Sequence, residues 1–278
     1  MARARAIDLG GGRSLHAVQA GKEGDVVLIH GALATHRDWL AGPFDALARD
    51  FRVTAVDRPG HGLSLRPRFE GTPRDQARQI RAGLDALGVD RPVVVGHSLG
   101  GLVSLALAEQ YPDYARSLVL IAPIAFPEAR LLEHTLLAPR AVPLMGPFLS
   151  TLGEATIDRS VVNLNHELMF WPHDVPQAWK AGYPFDQILT QSAMVAEGED
   201  AAAILPFSPA GTIDLSRITI PVHILAGTSD KILDLSRHAR PLAALLRNAR
   251  LTELPGEGHM IHHTAAEPVL NAIREAIS

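Results

Sequence analysis

The sequence of 278 residues contains no cysteine. A disulfide framework and a thiolate-ligated metal site are therefore excluded, and the absence fits a reducing cytosol. An excess of positive charge is also missing, because 26 Lys and Arg stand against 30 Asp and Glu and give a formal net charge of −4. Without that excess we expect neither nucleic acid nor an anionic membrane surface as a partner.

Long apolar runs are scarce as well. No stretch approaches the ~20 apolar residues that a membrane-spanning helix needs. Residues Met1 to Leu9 alternate Ala and Arg without the apolar core of a secretory signal. We therefore expect a cytoplasmic protein with no membrane partner, and nothing in the sequence specifies an oligomeric state.

Short β-branched runs alternate with segments of helical periodicity. The strand-like runs are Val26–His30, Arg52–Val56, Pro92–Gly96, Ser117–Ile121, Pro221–Ala226 and Arg250–Leu254, and the helix-like segments are Pro73–Leu87, Ser98–Tyr111 and Pro268–Ile277. Runs of this length without polar alternation indicate strands buried on both faces, as in a parallel sheet covered by helices. The alternation predicts the α/β class with a mostly parallel central sheet.

The segment 123–213 breaks this alternation. It holds ten of the 20 prolines, five of the eight Phe, two of the three Trp and three of the five Met. Prolines divide helices into short pieces, so we predict a helical cap or lid inserted between the two parts of an α/β core, 1–122 and 214–278. Open α/β folds place their sites at the carboxyl edge of the sheet, where this cap would sit.

The aromatic and methionine side chains of the cap either form its own small core or face a pocket. Both uses are expected, because a cap needs a core and its underside needs a pocket wall. The possible pocket residues are Phe126, Met145, Phe148, Phe170, Trp171 and Phe185.

A Gly-x-Ser-x-Gly motif spans Gly96 to Gly100 and centres on Ser98. A predicted strand enters the motif and a predicted helix leaves it, as in the turn that exposes the nucleophile of a serine hydrolase. The two glycines let strand and helix approach, and the start of the helix favours developing negative charge. The alternative, a tight turn with a capping serine, is disfavoured by this strand–turn–helix context.

Acyl transfer also needs two hydrogen-bond donors for the oxygen that becomes anionic. The backbone N–H of Leu99, directly after the serine, is one predicted donor. The other is the backbone N–H of Ala32 in the His30-Gly31-Ala32-Leu33 stretch after the first buried run. We expect His30 to bond the backbone and, with Gly31, to shape this loop.

A serine hydroxyl requires a base, and the base requires a carboxylate that orients it. His259 lies in a glycine-rich loop after the last predicted strand, and Asp230 follows the strand Pro221–Ala226. Both fit the order Ser, Asp, His along an α/β-hydrolase chain. The rival bases are His262, His263, His61 and His97, and the rival acids are Asp234 and Asp57; His61, His97 and Asp57 lie too early in the chain for that order.

These stretches together resemble the α/β-hydrolase superfamily, in the branch of capped esterases, carbon–carbon bond hydrolases and cofactor-free haloperoxidases. The matching sequences are HGALAT (His30–Thr35), DRPGHGLS (Asp57–Ser64), VVVGHSLGG (Val93–Gly101), AGTSD (Ala226–Asp230) and LPGEGHMIH (Leu254–His262). The same branch includes haloalkane dehalogenases and epoxide hydrolases, which use aspartate where this chain has Ser98. Epoxide hydrolases also use tyrosines of the cap, and the cap segment here contains only Tyr183.

We expect hydrolysis of a carboxylic ester of a small substrate through an acyl-enzyme on Ser98, with no metal and no organic cofactor. The aromatic and methionine side chains of the cap indicate an apolar or aromatic substrate. A carbon–carbon bond hydrolase of a vinylogous diketone, a lactonase or a perhydrolase would use the same three residues. A small-ligand receptor built on a hydrolase scaffold is the alternative from another functional class, and a complete set of catalytic residue types argues against it. Fold alone does not select a substrate.

Overall fold

The computed structural model describes residues 2–129, 133–206 and 208–277. It contains one sheet of eight strands: β1 (Arg3–Gly10), β2 (Arg13–Ala20), β3 (Asp25–Ile29), β4 (Arg52–Val56), β5 (Val93–His97), β6 (Ser117–Ile121), β7 (Val222–Gly227) and β8 (Ala249–Leu254). Their order across the sheet is β1-β2-β4-β3-β5-β6-β7-β8. β1 and β2 form an antiparallel hairpin, β2 pairs antiparallel with β4, and all later pairs are parallel.

Twelve α-helices are found in the described part of the chain. They are α1 (His36–Leu40), α2 (Phe44–Asp50), α3 (Pro73–Ala86), α4 (Leu99–Gln110), α5 (Met145–Thr156), α6 (Asp158–Phe170), α7 (Gln177–Gly182), α8 (Phe185–Ile188), α9 (Gln191–Ala203), α10 (Ala239–Leu245), α11 (Ile261–Thr264) and α12 (Ala266–Ile277). None of the helices in the described ranges is long and apolar enough to cross a bilayer.

The central strands bury side chains on both faces, which explains their unbroken apolar sequences. In β3, Val27 and Ile29 belong to one core cluster and Val26 and Leu28 to the other. Helices α3, α4 and α10 contribute to the first cluster, while α1, α2 and α12 contribute to the second. Alternate side chains of a strand point to opposite faces, so the sheet lies between two apolar layers.

The predicted α/β-hydrolase architecture is confirmed, with strand boundaries shifted by at most one residue from the predicted runs. The hairpin of β1 and β2 was not predicted, because its first strand is largely exposed and shows no apolar pattern. Between β6 and β7 the chain forms helices α5 to α9 and no strand among the described residues. The division into core and cap domains stays a prediction, and residues 130–132 and 207 of the cap segment lie outside the described ranges.

Helix α4 begins in close contact with the carboxyl end of β3. A Cβ atom at Gly100 would lie 2.3 Å from the carbonyl oxygen of Ile29 and 2.5 Å from that of His30. A Cβ at Gly96 would lie 2.4 Å from the hydroxyl of Ser104. Glycine is therefore required on both sides of the turn at Ser98.

Replacing Gly100 by Ala should lower the free energy of unfolding by at least about 2 kcal/mol, because the backbone carbonyls that the methyl group meets cannot move independently of β3. Chemical denaturation at neutral pH measures this. Gly182→Ala is the matched control, since a Cβ there has no heavy atom within 4 Å, and it should change stability by less than about 1 kcal/mol. Equal stabilities of the two variants would contradict the close contact between position 100 and the carbonyl groups of Ile29 and His30.

Candidate active site

Ser98 occupies the turn between β5 and α4 in a strained backbone conformation. Its φ of 53° and ψ of −118° lie in a region that residues with side chains rarely adopt. Its N–H donates to the carbonyl of Ile121 at 3.0 Å, and its own carbonyl accepts from Gly101 at 2.9 Å and Ile124 at 3.1 Å. These hydrogen bonds to neighbouring segments therefore keep Ser98 in its strained backbone conformation, as is common at functional sites.

Asp230 and His259 are brought together by the loops that follow β7 and β8. Oδ2 of Asp230 lies 2.8 Å from Nδ1 of His259, and Oδ1 accepts the backbone N–H groups of Ile232 at 2.7 Å and Leu233 at 3.0 Å. A carboxylate only accepts hydrogen bonds, so Nδ1 of His259 donates to it. The neutral ring then offers Nε2 as its acceptor.

The charge of the Asp230 carboxylate follows from these contacts. Burial by itself raises the pKa of Asp230, but His259, its hydrogen bond and the two backbone N–H groups outweigh burial and hold the pKa below its usual value. The carboxylate is therefore ionised at neutral pH. An ionised carboxylate in this position stabilises positive charge on the imidazole.

The loop after β3 lies directly beside Ser98. A Cβ at Gly31 would lie 3.1 Å from the Cβ of Ser98. In the described part of the chain, no hydrogen bond uses the backbone N–H of Ala32 or that of Leu99. Both predicted oxyanion donors therefore remain available at the edge of the cavity that contains Ser98.

His30 bonds the backbone on both sides of its ring. Its Nδ1 donates to the carbonyl of Gly31 at 2.8 Å, and its Nε2 accepts the backbone N–H of Arg58 at 2.9 Å. Burial, assisted by the Arg58 guanidinium, lowers the pKa of His30 to about 3. A neutral ring with both nitrogens bonded to the backbone has a structural role.

Two residues of the segment 123–213 bind the peptide groups of Leu33, one residue beyond Ala32. The N–H of Leu33 donates to Oε1 of Glu197 at 2.7 Å, and its carbonyl accepts from the hydroxyl of Tyr183 at 2.5 Å. Leu33 itself has a positive φ of 49°. This pair of contacts, the Leu33 clamp, fixes the end of the loop that carries Ala32.

A buried charge network anchors Glu197. His61 lies between two of the three carboxylates of α9, with Nδ1 3.2 Å from Glu197 and Nε2 2.9 Å from Asp200. The fully buried Arg58 reaches Asp200 at 2.5 Å and donates to the carbonyl of Gly31 at 3.2 Å. The Asp57–Ser64 turn, which sequence motifs singled out, therefore joins α9 to the loop beside Ser98.

Ser98 and His259 line one cavity of about 90 Å³ together with Gly31, Ala32 and Leu99. Ser98 is 6% exposed and His259 1% exposed. Much of the remaining wall is apolar and comes from the segment 123–213; it includes Leu136, Leu137, Ile157, Val161, Val162, Met169, Met194, Ala201 and Ile204. The cavity wall therefore combines apolar side chains with the predicted catalytic residues Ser98 and His259.

None of the six predicted pocket residues lies among the lining residues, and this part of the prediction is corrected. Met145, Phe148 and Trp171 are exposed. Phe170 is fully buried against Trp179, with ring centroids 5.0 Å apart. The two remaining residues are Phe126, which packs on the sheet-side core, and Phe185, which packs within the core of the cap segment.

The aromatic wall of the cavity is instead formed by residues that sequence reasoning missed, among them Trp179, Tyr183 and His166. The composition showed that their segment is rich in aromatic residues. It did not show which side of each short helix faces the cavity. Glu197 was missed as well, because one of several acidic residues in an alanine-rich helix carries no functional signal.

The rival residues have other partners. His262 and His263 bond Asp38 at 2.9 and 2.8 Å, and Asp57 bonds His16 and His36 at 2.9 Å each. The exposed Asp234 accepts from the backbone and side chain of Ser236, as a local turn residue does. Among the rivals His97 comes closest to the predicted base, and its Nε2 donates to the carbonyl of His259 at 3.2 Å.

Within the described ranges, three groups of buried or partly buried His and acidic residues have the composition of metal sites. They are His16–His36–Asp57, Asp38–His262–His263 and His61–Glu197–Asp200. In each group the imidazole nitrogens lie 2.8 to 3.2 Å from carboxylate oxygens. At these distances the imidazoles and carboxylates satisfy each other as hydrogen-bonded pairs, so their arrangement does not require a metal ion.

Comparison with known proteins agrees with this fold. An uncharacterised protein of Mycobacterium tuberculosis is 29% identical over 257 residues, which cover 88% of this chain and 72% of that protein. The structure resembles that of the epoxide hydrolase CorEH (TM-score 0.81, 20% identity, 99% of this chain and 98% of that chain) and that of an esterase from Exiguobacterium antarcticum (TM-score 0.78, 18% identity, 99% of each chain). At such identities these likenesses show the fold.

A family model described as the alpha/beta hydrolase fold matches residues 25–266, which include every strand after the hairpin and also Ser98, Asp230 and His259. The chain belongs to the α/β-hydrolase fold family.

Proposed function

We propose that the protein is a serine hydrolase, in which Ser98, His259 and Asp230 cleave a carboxylic ester through an acyl-enzyme. The observation that carries the proposal is the 2.8 Å contact of Asp230 with His259, on a ring that lines the same cavity as Ser98. A strained serine turn, an oriented imidazole and a buried carboxylate in one place are the parts that ester hydrolysis requires.

The reaction would begin when Nε2 of His259 takes the proton of the Ser98 hydroxyl and its oxygen attacks the ester carbonyl. The backbone N–H groups of Ala32 and Leu99 then bind the oxyanion, each contributing about 3–4 kcal/mol of transition-state stabilisation. His259 next protonates the leaving alcohol, and water repeats the two steps on the acyl-enzyme. The residues present carry every step without a metal or an organic cofactor.

The cavity supports a small, mostly apolar substrate. Its volume of about 90 Å³ is well below the ~300–1,000 Å³ of sites that bind drug-sized ligands. The structural resemblance to an epoxide hydrolase does not imply that this protein hydrolyses epoxides, because Ser98 occupies the position where that reaction needs an aspartate nucleophile. A serine that opened an epoxide would form an ether that does not readily hydrolyse.

Fluorophosphonate labelling followed by mass mapping tests the nucleophile. We expect one adduct on Ser98 in the wild-type protein and a loss of labelling in Ser98→Ala and His259→Ala, since the hydroxyl is unreactive without its base. Ser104→Ala is the matched control, because Ser104 lies on the helix that follows and donates to Gly100; it should label like the wild type. Labelling that survives in His259→Ala would refute the assigned base.

Asp230 and its rival Asp234 can be separated by one pair of variants. Asp230→Asn should lower kcat for a short-chain p-nitrophenyl ester by about three to four orders of magnitude, because the amide no longer fixes the imidazole tautomer. Asp234→Asn should leave kcat within about twofold, since its side chain serves only a local turn. Comparable losses in both variants would reject the assignment of Asp230.

The Leu33 clamp predicts that Tyr183 positions the oxyanion loop. Tyr183→Phe removes one hydroxyl and should lower kcat about tenfold, with a smaller change in KM, because an oxyanion donor acts mainly in the transition state. Tyr114→Phe is the control, since that buried hydroxyl has no hydrogen-bond partner among the described residues and should not affect kcat. A pure KM effect in Tyr183→Phe would instead indicate a role in substrate binding.

A further inference from the structure

His166 is a buried imidazole that takes no part in the proposed ester hydrolysis. It lies on α6, is 2% exposed and contributes to the cavity wall. Neither of its ring nitrogens has a hydrogen-bond partner in the described parts of the chain. Buried polar groups nearly always have a hydrogen-bond partner. Two unbonded imidazole nitrogens in the wall of a cavity therefore indicate a position where a ligand binds.

Aromatic side chains surround the ring of His166. It packs edge-on against Trp179 and Tyr183, with ring centroids 4.8 and 4.3 Å away, and Phe185 follows at 6.2 Å. Tyr183 is also the hydroxyl donor of the Leu33 clamp. The ring of Tyr183 therefore lies between His166 and the loop that carries Ala32.

His166 is neutral at physiological pH. Burial and the nearby Lys180 lower the pKa of His166 to about 4, and the carboxylates of Glu167 and Asp38 only partly oppose this. A neutral imidazole has one N–H donor and one nitrogen acceptor. It can therefore bond either a carbonyl oxygen or a hydroxyl group.

Within the described ranges, each charged side chain that lines the cavity already has hydrogen-bonding or ionic partners in the protein. Arg140 forms two hydrogen bonds with Asp158, at 2.8 and 2.6 Å. Asp38 is bonded by His262 and His263, while Glu197 and Asp200 belong to the network of Arg58 and His61. An ionised ligand group would lose its hydration without a counter-ion, so an uncharged group is favoured.

We propose that His166 is a substrate-binding residue that recognises an uncharged oxygen-bearing group, a ketone carbonyl or a hydroxyl, on the otherwise apolar body of the ester. The inference rests on the proposed function and narrows its substrate class from apolar esters to esters with one further neutral polar group. The apolar wall accepts the body of the substrate, and the imidazole selects the position of the oxygen.

Matched ester pairs test this selection. One pair is p-nitrophenyl pentanoate and p-nitrophenyl 4-oxopentanoate, which vary the acyl side; the other is butyl acetate and 3-oxobutyl acetate, which vary the alcohol side. In at least one pair the ratio of kcat/KM, oxygenated over plain ester, should fall about tenfold or more in His166→Leu, because the partner of the carbonyl is lost. His166→Gln keeps a donor and should retain most of the ratio.

Val162→Ala is the control for a change of cavity shape, since Val162 lines the same cavity from α6. It should alter both members of a pair alike. Thermal unfolding of each variant separates loss of folding from loss of recognition. Equal ratios for the wild type and His166→Leu in both pairs would overturn the proposal.

A binding measurement separates this inference from the proposed function. In protein with ¹⁵N-labelled imidazoles, cyclopentanone should shift the ring resonances that disappear in His166→Gln, and cyclopentane should not. If Ser98 fails to label and no ester is hydrolysed while the cyclopentanone shift is present, the proposed function fails and the recognition by His166 stands. If Ser98 labels but cyclopentanone and cyclopentane have the same effect, the inference fails alone.

Discussion

The contact between the start of α4 and the end of β3 sets the geometry of the whole site. Because position 100 has no side chain, the helix begins within van der Waals distance of the carbonyl groups of Ile29 and His30. The turn at Ser98 and the loop at Gly31 are consequently neighbours, and Leu99 and Ala32 both line the cavity. Backbone donors fixed by such packing need no reorganisation when charge develops.

The segment between β6 and β7 is joined to this arrangement by polar contacts. Glu197 and Tyr183 bind the two peptide groups of Leu33, and Glu197 is itself held by His61 and Arg58. Buried ion pairs add little net stability, but the loss of one partner is strongly destabilising because it leaves a buried charge. A network of this kind therefore favours one position of α9 against the loop beside Ser98, which links the shape of the cavity to the proposed oxyanion donors.

The sequence predicted the parts of the structure that depend on local pattern. The buried strands, the turn at Ser98 and the pairing of Asp230 with His259 followed from apolar runs, glycines and chain order. The pocket residues did not follow, because short helices divided by proline give too few turns to show which face is inward; Phe148 and Trp171 are exposed, while Trp179 faces the cavity. Contacts between distant segments, such as Glu197 with Leu33, leave no pattern in either segment.

The central claim is that Ser98 attacks and that the N–H groups of Ala32 and Leu99 receive the resulting negative charge. A crystal structure of the protein after reaction with a small alkyl phosphonate measures both at once. We expect phosphorus bonded to Oγ of Ser98, a phosphonyl oxygen within about 3 Å of both N–H groups, and Nε2 of His259 within hydrogen-bond distance of Oγ. Phosphorus on another residue, or a phosphonyl oxygen directed away from Ala32 and Leu99, would contradict the claim.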